Sequence, residues 1–347
     1  MTINVLSVDG GGIRGVGSAH ILEVFEKQLG RPLHEAFELF VGTSTGSILA
    51  GGIAAKALSA TQLKALYLED GHKMFVRSLL GTIERGFFRA KYRTDRKGQT
   101  VRHIIGDVSL GEIPRNFMAA FYDIGDRPGP VFANGGPTYR AKDPPDDNYR
   151  DWPLWSVINA SSSAPMYFDP APISIGGRSV LGVDGGVFAN NPTICAFVEA
   201  RNLFKTDDIV VISIGTGLTR LSFPRQKRWG VLQWASPFDH IPLMEAMFDG
   251  QSSTVSHQME QILDRRFFRF EFNLDKYTHV TMDDASAANQ QAIIDAADLY
   301  LQDSSTVQQM ADAIAAVNGK EMNTPEPRLS LPPGTTRPGR EPGTDAR

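Results

Sequence analysis

The stretch Leu39-Phe40-Val41-Gly42-Thr43-Ser44-Thr45-Gly46, followed by the small-residue run Ile48 to Leu58, decides how the chain folds. Leu39-Phe40-Val41 reads as a short buried strand, and the run behind the glycines reads as a helix. Gly42-Thr43-Ser44-Thr45-Gly46 fits G-x-S-x-G, a tight strand-to-helix turn that lifts a serine hydroxyl clear of a sheet. Glycines flank the serine because neighbouring backbone comes too close for side chains, and the helix N-terminus behind it favours developing negative charge. Taken alone, the pattern fits an ordinary turn with a helix-capping serine equally well.

A second unit of the same kind lies upstream. Ile3 to Val8 reads as a strand, Asp9-Gly10-Gly11-Gly12 as a loop, and Ser18 to Leu29 as a helix with Ile21, Leu22, Phe25 and Leu29 on one face. Two consecutive strand–glycine turn–helix units predict an α/β sheet with helices packed on it. Phe117 to Asp123 and Ile209 to Ile214 read as further strands, and Asp151 to Ala160, Thr193 to Phe204 and Ala287 to Leu301 as helices. Residues 63–97 read as helical but irregular. Asp126 to Asp151, rich in Pro, Gly, Asp and Asn, reads as a long surface loop. Residues 324–347 are rich in Pro, Gly and charge and read as a disordered tail behind a single domain, residues 1–323.

Gly10-Gly11-Gly12-Ile13-Arg14-Gly15 fits G-x-G-x-x-G between a strand and a helix. A dinucleotide site would place an acidic residue about 20 positions further on. Glu26 and Glu35 lie near that distance, but Glu26 falls inside the predicted helix. Three consecutive glycines equally expose the backbone donors of an oxyanion hole. Arg14 adds a positive charge to the loop or pairs with a surface carboxylate. The loop by itself leaves both open.

A nucleophilic serine needs a base, and histidine is the usual one. His20, His34, His72, His103, His240, His257 and His279 all lie outside the glycine-rich or strand-end motifs that present a catalytic group. Asp184 has the better context: Val183-Asp184-Gly185-Gly186 follows an apolar stretch and precedes Asn190-Asn191-Pro192. The small residues let another loop approach, and a carboxylate within hydrogen-bond reach takes a hydroxyl proton directly. A turn aspartate before glycine is the plain alternative.

Composition sets bounds. With 41% hydrophobic and 21% charged residues, the 347-residue chain can bury a large core, and a net charge of -4 gives no pointer to a nucleic-acid polymer. One cysteine, Cys195, cannot form an internal disulfide and reads as a small buried hydrophobe. No signal-peptide pattern opens the sequence, and no run approaches the roughly 18 apolar residues of a membrane span. The expected location is cytoplasmic, peripheral to the inner face of the membrane when active.

Together the motifs resemble the patatin-like phospholipase family. The resemblance rests on Asp9 to Gly15, on Gly42 to Gly46, and on Asp184-Gly185-Gly186 with Asn190-Asn191-Pro192 behind it. It extends to Ala160-Ser161-Ser162-Ser163-Ala164-Pro165-Met166-Tyr167-Phe168, Ser213-Ile214-Gly215-Thr216-Gly217 and Met282-Asp283-Asp284-Ala285-Ser286. It implies a three-layer α/β/α fold with a central, mostly parallel sheet, and a Ser–Asp dyad without histidine. Ser44 would attack a lipid ester, Asp184 would accept its proton, and the amides of Gly10, Gly11 and Gly12 would hold the oxyanion. No metal or cofactor is implied. Some bacterial members serve as antiphage phospholipase effectors activated by cyclic dinucleotides, which implies such an activator here. A non-catalytic lipid-binding protein on the same fold is the alternative. Oligomeric state is left open.

His72 to Lys97 mixes Phe75, Leu79, Leu80, Phe87 and Phe88 with Arg77, Arg85, Arg89, Lys91, Arg93, Arg96 and Lys97. Such a segment suits contact with anionic lipid, a lid over the site, or a helix with its cations in water. If it touches lipid, changing Phe87 and Phe88 to Ser in a folded variant will weaken co-sedimentation with anionic liposomes. Unchanged binding rejects lipid contact.

Overall fold

The computed structural model describes residues 2–76, 90–141, 149–219, 230, 234, 242–276 and 280–319. The strands are β1 (Ile3–Val8), β2 (Leu39–Thr43), β3 (Asn116–Asp123), β4 (Gly129–Gly135), β5 (Ala171–Ile175), β6 (Arg178–Asp184), β7 (Ile209–Ile214) and β8 (Phe267–Phe270). The longer helices are α1 (Gly15–Leu29), α2 (Thr45–Lys56), α3 (Ala60–Met74), α4 (Thr94–Ile105), α5 (Leu154–Ser161), α6 (Thr193–Phe204), α7 (Pro242–Leu263), α8 (Ala287–Leu301) and α9 (Ser304–Val317).

All eight strands form one sheet, in the order β5-β6-β3-β2-β1-β7-β8 with β4 also paired to β3. The run β3-β2-β1-β7-β8 is parallel, while β4, β5 and β6 join antiparallel. Both faces are buried, as a parallel sheet requires. Ile3 and Val5 of β1 pack with Leu39, Val41 and Val211 against Ala196 and Ala200 of α6 and Met259 of α7. On the opposite face Leu6, Val8 and Phe40 meet Phe25 of α1, Leu49 of α2, Leu63 of α3 and Ile293 of α8. The three-layer α/β/α arrangement with a mostly parallel sheet follows from this alternation.

The helix starts differ from the sequence expectation. α1 begins at Gly15, not Ser18, because a single 3-10 turn at Gly12–Arg14 feeds straight into it. α2 begins at Thr45 and ends at Lys56, where Ala57 turns left-handed. Pro153 delays α5 to Leu154. The largest correction concerns Asp126 to Asp151, which is not one long loop. It contains β4, whose Val131 and Ala133 are buried, and a helical turn at Pro137–Arg140. Glycine and proline at the start of β4 mask its alternation; Pro130 sits opposite Tyr122 on a strand that has no partner besides β3 among the described residues. The hairpin β5–β6 is a further addition to the expected strands, turning at Gly176-Gly177, whose positive φ angles suit such a turn. The expected tail, residues 324–347, lies outside the described residues, as do Arg77, Leu79, Leu80, Arg85, Phe87, Phe88 and Arg89.

One junction in the sheet sets up everything that follows. β4 runs along one edge of β3 from Phe117 to Asp123. The other edge is shared: β2 pairs with it in parallel as far as Thr43 opposite Ala120, and β6 pairs antiparallel from Asp184 opposite Phe121. The two strands approach along the same edge from opposite directions, so their C-terminal ends abut. Phe121 is fully buried there and stacks on Trp152 with ring centroids 6.4 Å apart. Phe121→Ala is expected to lower the unfolding free energy by about 3–5 kcal/mol in urea titration. A loss below about 1 kcal/mol would show that the junction does not lean on this ring.

Candidate active site

Ser44 is the first residue beyond β2, held at φ 53° and ψ −124° before α2 begins at Thr45. A non-glycine residue in such a conformation stores on the order of 1–3 kcal/mol and persists only where its surroundings force it. The forcing contacts are visible. A Cβ on Gly42 would lie 2.2 Å from the Gly46 carbonyl oxygen, and one on Gly46 would lie 2.1 Å from the Val8 carbonyl oxygen. The Ser44 amide donates to Ser161 Oγ at 3.0 Å, and Ser161 Oγ in turn donates to the Ala120 carbonyl at 2.7 Å.

Asp184 ends β6, 1% exposed. Its amide donates to the Ser163 carbonyl at 2.9 Å, and the Gly186 amide donates to its Oδ1 at 2.7 Å. Ser44 lies near enough for its hydroxyl to pull the Asp184 carboxyl down. Burial pushes the Asp184 carboxyl up to about 6, against the pull of the Ser44 and Gly186 hydrogen bonds and the charge of Lys97. A carboxylate raised into that range is a better proton acceptor than a solvent-exposed one. Gly185 fits because a Cβ there would lie 2.2 Å from the Ala120 carbonyl oxygen; one on Gly186 would meet the Phe248 ring at 2.8 Å.

The glycine loop lies against the elbow. Gly11 and Gly12 line the same cavity as Ser44 and Asp184, and among the described residues no acceptor takes their amides. Gly10 differs from the sequence expectation: its amide donates to the Asn190 carbonyl at 3.0 Å, so it is spent on structure. The Gly10 carbonyl accepts from Thr216 Oγ1 at 2.7 Å, and the Ile13 amide donates to the Met282 carbonyl at 2.8 Å. Gly12 adopts φ +59°, and a Cβ there would lie 2.1 Å from that same Met282 oxygen. A Cβ on Gly15 would meet Thr45 Oγ1 at 2.4 Å.

Beneath the loop is a buried ion network that the motifs did not reveal. Arg269 Nη1 donates to Asp9 Oδ1 at 2.9 Å and Nη2 to Oδ2 at 2.5 Å; Nη2 also pairs with Glu271. Glu271 accepts the Gly217 amide at 2.8 Å. Burial raises the carboxyls of Asp9 and Glu271, and the Arg269 guanidinium pulls both back down. Arg14 is likewise buried. Burial lowers its guanidinium, and the surrounding charges, led by Glu245 and Glu271, raise it. It is therefore not paired at the surface. Asp9 ties the start of the loop to Arg269.

The cavity over Ser44 is about 40 Å³. Its wall is an apolar cluster separate from the two main cores, including Tyr167, Phe168, Phe248 and Met282, with Phe75 packed against it. Lys97 also lines it, 3% exposed. That corrects the expectation for His72 to Lys97: this cation faces neither lipid nor water. Lys91 pairs with Asp283 at 2.5 Å and Arg93 with Asp95 at 2.5 Å. Among the described residues no histidine lines the cavity. His20 is buried and pairs with Asp298 of α8 at 2.6 Å. Cys195 is partly buried, and burial pushes its thiol up to about 11. Among the described residues no group of three or more His, Cys, Asp or Glu could hold a metal ion, and no helix is long and apolar enough to cross a membrane.

A strained serine on a strand-to-helix turn, sharing a cavity with a buried aspartate and free glycine amides, is the layout of a serine ester hydrolase. The family model for patatin-like phospholipases matches residues 6–197, more than half of the chain, and the chain belongs to that family. Patatin-like protein 4 of Arabidopsis thaliana is 26% identical over 83% of this chain and 80% of its own length. The cGAMP-activated phospholipase of Pseudomonas aeruginosa is 28% identical, covering 84% of each. The calcium-independent phospholipase A2-gamma of Mus musculus is 29% identical over 62% of this chain, within 28% of its own length. The protein is a carboxylic ester hydrolase acting on lipid acyl esters.

Removing the cation under the glycine loop strands two buried carboxyls. Arg269→Met is expected to lower stability by about 3–5 kcal/mol, read as a drop in the urea midpoint. An unchanged midpoint would show that the network does not support the fold.

Proposed function

We propose that the protein is a phospholipase A working through a Ser44–Asp184 dyad and an acyl-enzyme. The observation that carries this is the strained Ser44 and the buried Asp184 lining one cavity that also presents Gly11 and Gly12. Ser44 Oγ attacks the ester carbonyl carbon while its proton passes to Asp184. The amides of Gly11 and Gly12 receive the oxyanion, Gly10 having no free donor. Collapse breaks the ester C–O bond, and Asp184 protonates the departing alcohol. Water then attacks the acyl-enzyme, giving its proton to Asp184, and the proton returns to Ser44 as the fatty acid leaves. The substrate is a membrane phospholipid reached by peripheral contact.

The apolar wall beside Ser44 suits an acyl chain. The likeness to the Pseudomonas aeruginosa cGAMP-activated phospholipase over 84% of both chains supports a cyclic dinucleotide as the activator and a role in antiphage defence.

Hydrolysis of mixed phospholipid vesicles, with and without a cyclic dinucleotide, tests both parts. Wild-type turnover is expected to rise on adding the nucleotide and to fall by roughly three to four orders of magnitude in Ser44→Ala and Asp184→Asn. Substantial turnover in Ser44→Ala sinks the dyad; full turnover that ignores every cyclic dinucleotide removes the activator. Because the base must be ionised and Asp184 is raised to about 6, kcat/KM should climb as pH rises through about 6 and fall about tenfold per unit below it. A profile flat from pH 5 to 8 contradicts Asp184 as the base.

A further inference from the structure

The dyad leaves one buried charged group on the cavity wall without a part. Lys97 projects from the first turn of α4, and its Nζ donates to the Asn159 carbonyl at 2.8 Å, to Ser162 Oγ at 2.9 Å and to Ser163 Oγ at 3.0 Å. The two hydroxyls have no proton left to offer. Ser162 Oγ donates to the Ile158 carbonyl at 2.8 Å and Ser163 Oγ to the Asn159 carbonyl at 2.7 Å. Three acceptors therefore face one nitrogen, which matches an ammonium with its three N–H groups. A neutral amine has only two. The Phe168 ring closes the nest 4.5 Å from Nζ.

The turn that Lys97 grips is the one on which both halves of the dyad rest. Ser161 Oγ accepts the Ser44 amide, the Ser163 carbonyl accepts the Asp184 amide, and the Ser161 carbonyl accepts the Gly185 amide at 3.3 Å. The run Ser161-Ser162-Ser163 thus has a division of labour. Its first member seats the elbow, its last seats the base through the backbone, and the hydroxyls of the last two bind the lysine.

We propose that Lys97 is a positioning residue of the hydrolytic site: its ammonium clamps the 159–163 turn that seats Ser44 and Asp184, and places a positive charge beside the Asp184 carboxylate. The inference rests on the dyad proposed above. Several other charges around α4 are paired among themselves, Arg102 with Asp107 included. Arg93 pairs with Asp95 on α4 itself, Lys73 with Asp70 on α3, and Lys91 with Asp283 at the cavity mouth. Lys56 on α2 lies at the far end, against Gly106. Tyr67 of α3 and Tyr167 of the wall are both held neutral by burial. Asp184 is the charged group whose field acts on Lys97. Burial draws the lysine down to about 7, and Asp184 opposes that fall. The ammonium and the ionised base therefore coexist between about pH 6 and pH 7.

The test is the pH profile of kcat/KM, on vesicles with any activator present, for wild type, Lys97→Met, Lys97→Gln and Lys97→Arg, with Ser44→Ala as the control. Loss of the positive charge raises the Asp184 carboxyl further. The acidic limb is expected to move up by about one pH unit in Lys97→Met and Lys97→Gln, so their deficit against wild type is about tenfold greater at pH 5.5 than at pH 8. Lys97→Arg keeps the charge and should hold the limb at the wild-type position. Lys97→Gln retains two donors for the turn and carries the comparison if Lys97→Met does not fold. A purely structural lysine would scale the profile without moving it; an unmoved limb in the two neutral variants, with activity still dependent on Ser44, overturns this inference alone. Wild-type activity that survives Ser44→Ala overturns the dyad and the inference together.

Discussion

The edge of β3 at Ala120 and Phe121 is the constraint on which the site depends. A strand edge offers one row of hydrogen-bonding groups, and here two strands divide that row, β2 up to Ala120 and β6 from Phe121. Residues 140 positions apart in sequence, Ser44 and Asp184, follow from neighbouring positions on a third strand. Their separation is set by the repeat of a β-ladder and not by loop conformation. The Ala120 carbonyl, where the division falls, is also where Ser161 Oγ bonds and where Gly185 must lack a side chain. Packing, hydrogen bonding and reactive geometry converge on one peptide unit.

Two buried electrostatic arrangements serve different ends. Asp9, Arg269 and Glu271 form a network in which the cation answers both carboxyls, and nothing in it faces the cavity. It fixes the glycine loop as a floor. Asp184 and Lys97 instead both line the cavity, and burial moves each toward its neutral form, to about 6 and about 7. Groups poised near neutrality suit proton transfer; the network under the floor turns its charges on one another.

The motifs were legible where local geometry dictates residue type. Gly42 and Gly46 are glycine because backbone fills the space a Cβ would need, and that demand shows in the sequence. β7, α6 and α8 were readable to the residue because their apolar periodicity is uninterrupted. Long-range partnerships were not. Gly10 looks identical to Gly11 and Gly12 in sequence, yet only its amide is taken by Asn190. Lys97 reads as one more cation in a basic segment, since nothing local announces the three acceptors waiting in the 159–163 turn. Arg269 left a faint trace: a charge among Phe267, Phe268 and Phe270 reads as a buried partner for something. Even so, the identity of Asp9 as that partner emerges only in three dimensions.

The glycine loop is completed by residues far down the chain. Its backbone leans on Thr216 and Met282, and its aspartate on Arg269. A nascent chain that has exposed Ser44 and Asp184 but not yet residue 282 holds that pair without the contacts that fix the loop. The hydrolase is assembled only when nearly all of its folded core has left the ribosome.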